Sequence, residues 1–135
     1  MSHLKQKSIE NLNAVTVLIN HQAYAASIHC AYYSCVQLMK HIVIQVLNKS
    51  ENEIDAALEK SRQPLHVWLI NTLSADLRQH NTAEATNFNG LVLRLKKARI
   101  KADYKDQAIS SSEALMARTL VNQITTLLQS NFDYE

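Results

Sequence analysis

One glycine, Gly90, and one proline, Pro64, stand in a chain of 135 residues. This scarcity constrains the fold more than any other feature. Hairpins and tight turns draw on Gly, Pro and Asn-Gly pairs, so a sheet protein written in this sequence would lack its turns. The sequence therefore predicts long helices and few connections. Hydrophobic residues make up 47% of the chain, which argues against disorder. At this length folding buries roughly two-thirds of the unfolded surface, so a core needs no staples. One domain spanning residues 1–135 is expected.

Hydrophobic periodicity divides the chain. Leu4, Ile9, Leu12, Val15, Leu18 and Ile19 recur at helical spacing and predict a first helix over about 3–20. A second is expected over about 22–48. It is rich in Ala and Ser early and apolar on nearly every side later (Val36, Leu38, Met39, Ile42, Val43, Ile44, Val46, Leu47). Such a helix must be central or covered by a partner. Ser50-Glu51-Asn52-Glu53 has the form of a capping box and opens a short helix to about Lys60. Pro64 suits the first position of a fourth helix, which runs to about Arg78 with Leu65, Trp68, Leu69, Leu73 and Leu77 on one stripe. Asn81-Thr82-Ala83-Glu84 opens a fifth helix to about Ala102, with Phe88, Leu91, Leu95 and Ala98 inward. Gly90 lies inside it at a cost of about 1 kcal/mol against alanine, which a close helix crossing would explain. Residues 103–110 read as a loop, and Ser110-Ser111-Ser112-Glu113 caps a last helix to about Ser130. The reading is an all-α, up-and-down bundle of five to six helices.

Several classes of function fall away. The net charge of +2 names no nucleic-acid binder, although residues 94–105 are basic and 51–59 acidic. That polarity suits an anion site on one side, or a charge-complementary dimer. Cys30 and Cys35 are five apart on one helix and cannot pair with each other; they read as thiols of a reducing compartment. No apolar run is long enough to span a membrane, and the N-terminus has no signal-peptide core, so a cytoplasmic protein without membrane contact is expected. The six histidines form no metal-ligand pattern. With one glycine there is no phosphate loop or dinucleotide fingerprint, and no nucleophile elbow is present. No metal or cofactor is called for.

What remains is Arg99-Ile-Lys-Ala-Asp103-Tyr104, which closes a cationic helix carrying Arg94, Lys96, Lys97, Arg99 and Lys101. Arg99 and Asp103 are i and i+4 and share a helical face. They form either an exposed ion pair or a phosphate-holding arginine braced by a carboxylate. Tyr104 either packs under the last helix and bonds a backbone group, or meets a base or phosphate. Tyr32 and Tyr33 face about 100° apart on the second helix, with Tyr33 the one expected in the core. Lys96 and Lys101 are either a solvated face or part of an RNA surface. His66 reads by default as a hydrogen-bonded helix-start residue.

Ala31-Tyr32-Tyr33-Ser34 in the second helix, His66 in a Pro-Leu-His context, and the Arg99-Ile-Lys-Ala-Asp103-Tyr104 ending occur in the order seen in one family. Over about residues 8–130 the chain resembles HEPN domains, the "higher eukaryotes and prokaryotes nucleotide-binding" helical modules. The resemblance implies a homodimer with the arginine segment facing the dimer cleft, and ligands that are nucleotides or RNA. Catalytic members are metal-independent ribonucleases in which an arginine contacts phosphate and a histidine four to six residues further on moves the proton. Arg99 matches that arginine, but the window beyond it holds Asp103, Tyr104 and Lys105. The resemblance thus implies phosphate binding by Arg99, Asp103, Tyr104, Lys96 and Lys101 ahead of catalysis. Arg99, Tyr104 and His66 are the candidates should the chain cleave RNA. A defence or toxin–antitoxin-like setting follows, as does the alternative of a non-catalytic partner for a nucleotidyltransferase-type protein.

Overall fold

The computed structural model describes residues 3–134. Six helices account for the regular structure of these residues: α1 (Leu4–Asn20), α2 (Tyr24–Gln45), α3 (Glu51–Ser61), α4 (Leu65–His80), α5 (Thr82–Tyr104) and α6 (Ser111–Asn131). The all-α bundle expected from the Gly and Pro scarcity is present. Both Ser-led capping boxes form: the Ser50 and Ser110 side chains accept from the N–H groups of Glu53 and Glu113, whose carboxylates reach back to the cap N–H groups. The Asn81 box forms by half. Asn81 accepts from the Glu84 N–H, while the Glu84 carboxylate is taken by Asn131 Nδ2 at 3.1 Å.

Without glycine to spend on turns, the chain puts ordinary side chains in left-handed backbone. Gln22 (φ 61°), Asn48 (φ 58°) and Arg62 (φ 56°) all do so, each at the end of a helix or in the turn that follows. Gln22 and Asn48 lie within the 22–48 span expected to be helical, which is why α2 is shorter at both ends. Pro64 caps α4 from extended backbone, one position before its expected place.

α2 is the hub. It packs against α1, α4, α5 and α6, and its buried residues lie on every side of the helix. Its apolar circumference is therefore covered within the chain and needs no partner to explain it. Ser8 and Ser34 let α1 come close: Ser8 Oγ donates to the Ser34 carbonyl at 2.7 Å, and Ser34 Oγ donates to the Ser8 carbonyl at 2.9 Å. α5 and α6 run antiparallel, joined near one end by Lys101–Glu113 at 2.7 Å and near the other by Glu84–Asn131. Asn89 Nδ2 donates to Ser74 Oγ at 2.8 Å and ties α5 back to α4.

Two expectations about packing are corrected. A Cβ built on Gly90 meets nothing within 4 Å, so no close crossing accounts for that glycine. Ile9, placed on the inward stripe of the first helix, is 42% exposed. One apolar cluster draws residues from all six helices, with Ile54 alone carrying α3 into it as a fully buried side chain.

Candidate functional site

Phe88, Val92, Leu95 and Arg99 form one buried stripe along α5. The arginine continues the core face of its helix, and only 6% of it is exposed. Of the two readings of Arg99 and Asp103, the exposed ion pair does not hold: the pair is present at 3.7 Å, but its arginine is buried. α5 also continues to Tyr104, two residues past its expected end, which holds Asp103 and Tyr104 in helical register with Arg99.

Three tyrosines enclose the guanidinium. Arg99 Cζ lies 4.8 Å from the Tyr32 ring centroid, 5.3 Å from Tyr104 and 5.9 Å from Tyr33, all within cation–π range. Tyr32 and Tyr33 meet edge to face at 5.6 Å. The assignment between them is reversed from expectation: Tyr32 is 1% exposed, whereas Tyr33 is half-buried. Both rings border Arg99 despite their different directions on α2. Tyr104 also departs from its expected packing role. It is 71% exposed, and its hydroxyl accepts from Arg99 Nη1 at 3.1 Å.

Electrostatics inside this box favour the charged arginine. Burial alone would pull the guanidinium down. The Tyr104 hydrogen bond, joined by Tyr33, Tyr104 and Tyr32 where these phenols ionise at high pH, outweighs it and holds its pKa above the ordinary value. Burial raises Tyr32, with the Arg99 charge opposing. Arg99 Nε is buried and has no hydrogen-bond partner, an arrangement that costs free energy unless something else accepts that proton.

Asp103 reaches out of the box. Its Oδ2 lies 3.7 Å from Arg99 Nη1 but 2.9 Å from His29 Nδ1 on α2. His29 also stacks obliquely on Tyr33, with centroids 4.6 Å apart. Its side chain is 51% exposed, so Asp103 orients an imidazole that faces water. Sequence reading gave His29 no role. Its one available signal was its place one turn before Tyr33 on the same helix.

His66 approaches the box from α4. Its ring meets Tyr32 edge to face at 6.0 Å. Burial first, then the Lys96 and Arg99 charges, hold its pKa below the ordinary 6.5. Lys96 is half-buried beside a shallow groove bordered by Val67, Ile70, Val92 and Leu93. The Lys101 ammonium is engaged by Glu113 and braces α6. A larger groove, about 700 Å³, runs between the far ends of α5 and α6 past Asn87, Asn122 and Gln123, and no part of the arginine cluster borders it. Among the described residues no group of His, Cys, Asp and Glu is arranged to hold a metal ion, and no helix is long and apolar enough to cross a membrane.

No family model matches the chain, and no curated protein or solved structure matches it. The functional reading rests on the cluster itself.

Proposed function

We propose that this protein is a HEPN-like helical module that binds the phosphate of a nucleotide or RNA, with Arg99 as the anchor. The observation that carries this reading is a buried, fully charged arginine whose Nε has no partner, set beside a solvent-facing His29 and Tyr104. A guanidinium used only as structural filler would have its donors satisfied. One with a free donor in a low-dielectric box suits an anionic oxygen. Asp103 fixes the arginine and His29 together, and Tyr104 supplies an exposed ring for a base. Lys96 adds positive potential from the His66 side.

Binding of AMP and of a short single-stranded RNA tests this. Affinity should fall as salt rises, and Arg99→Lys, which keeps charge but loses the planar fork, should weaken binding about tenfold. Affinity unchanged by that substitution overturns the site.

The His29–Asp103 pair favours a second reading. Asp103 holds Nδ1, which leaves Nε2 outward for proton transfer. On this reading the module is a metal-independent ribonuclease, with the histidine supplied from α2 instead of the window after Arg99. Cleavage of RNA by the wild type, lost in His29→Gln with RNA binding retained, separates it from binding alone. The homodimer and the nucleotidyltransferase-type partner belong to the same proposal, and light scattering on the purified chain tests the first.

A further inference from the structure

We propose that Tyr104 is a displaceable cover on the Arg99 site, and that a bound phosphate takes the position of its hydroxyl. This rests on the phosphate-binding reading and says how that site opens. The guanidinium has almost no contact with water at 6% exposure, so a ligand reaches it only if a neighbour moves. Of the three rings around it, Tyr32 is locked in the core and Tyr33 is half-buried against His29. Tyr104 alone stands in solvent, at 71% exposure. It is the last residue of α5, followed by exposed Lys105, Asp106 and Gln107.

Rotating this side chain away gives up one hydrogen bond of 3.1 Å to a neutral acceptor and one cation–π contact at 5.3 Å. Little else holds it. A phosphate oxygen at Nη1 replaces the neutral acceptor with a charged one, and such bonds are roughly twice as strong. Nη1 and Nη2 together form the end-on fork of the guanidinium, so the same anion can take two donors once the phenol has left. The closed form thus keeps the arginine from weak anions, while a phosphate displaces the phenol. The ligand chemistry is a phosphate group, whether free or carried by a nucleotide.

Calorimetric titration with inorganic phosphate and with AMP tests the cover, using wild type, Tyr104→Phe and Arg99→Lys. Tyr104→Phe keeps the ring and removes the competing acceptor. It should bind both ligands about fivefold more tightly than wild type. Equal affinity in wild type and Tyr104→Phe, with binding about tenfold weaker in Arg99→Lys, overturns the cover and leaves the arginine site standing. Weaker binding by Tyr104→Phe makes the hydroxyl a ligand contact and also overturns it. Binding that Arg99→Lys leaves unchanged, or no binding by any of the three proteins, overturns both readings. Arginine side-chain NMR gives an independent readout. Saturating phosphate should move the Arg99 Nε–H signal of the wild type toward its position in Tyr104→Ala, where the ring is gone; no movement under saturation counts against displacement.

Discussion

Asp103 Oδ2 sits 2.9 Å from His29 Nδ1, across 74 residues of sequence. The contact joins the first turns of α2 to the end of α5 beside the tyrosine box. Because the histidine is half exposed, its contribution to stability is expected to be small. A double-mutant cycle with His29→Ala and Asp103→Asn, followed by urea unfolding, should give a coupling of about 0.2–1 kcal/mol. A coupling near zero would mean that the two side chains do not hold each other in solution.

His66 gives the bundle a pH dependence of known sign. Its pKa is held below the ordinary 6.5 by burial and by two cations, and unfolding releases it. The unfolded chain therefore binds the proton at higher pH than the folded one. This contribution is fully present above about pH 6.5 and is lost as pH falls through the lower folded-state value. Urea midpoints taken from about pH 7.5 down to about pH 5.5 should fall less steeply in His66→Gln than in wild type. An identical slope in both proteins would remove His66 from the pH response.

Ser8 and Ser34 exchange hydrogen bonds through a contact with little room for a larger side chain. Ser34→Ala should destabilise by about 1 kcal/mol through the lost bonds. Ser34→Leu should cost about 2–3 kcal/mol or more by forcing α1 off α2. Thermal unfolding of the two variants in parallel checks the order.

Gly90→Ala should stabilise the protein by about 1 kcal/mol. The new methyl meets no atom within 4 Å, and the glycine is not at positive φ. Arg62→Gly should stabilise as well, by about 0.5–1 kcal/mol, because Arg62 occupies left-handed backbone at φ 56°. A drop in urea midpoint for either variant would contradict the local account of its helix.

The helices and two of their caps were legible because each depends on neighbours within a few positions. Ser50 and Glu53, or Ser110 and Glu113, need only helical geometry between them to meet. The burial of Arg99 was also legible in part: it continues the 88–92–95 stripe of α5, and its charge masked that pattern. The roles of Tyr32 and Tyr33 were not, since adjacent residues on a helix differ only by which neighbour the helix is turned toward. Tyr104 escaped for a related reason, as its partner was an arginine hidden one turn earlier on its own helix.

By itself, the sequence determined an all-helical chain, through its lack of turn residues, its 3.6-residue apolar period and its caps. It also determined that Arg99, Asp103 and Tyr104 would be close, because a helix brings i, i+4 and i+5 within reach. Only the tertiary structure decided that Arg99 lies inside a box of three tyrosines, that Asp103 turns to His29, and that Tyr104 stands in solvent. Those outcomes depend on how α2 and α5 are rotated against each other. That rotation is set by the packing of many side chains at once, and no short stretch of sequence specifies it.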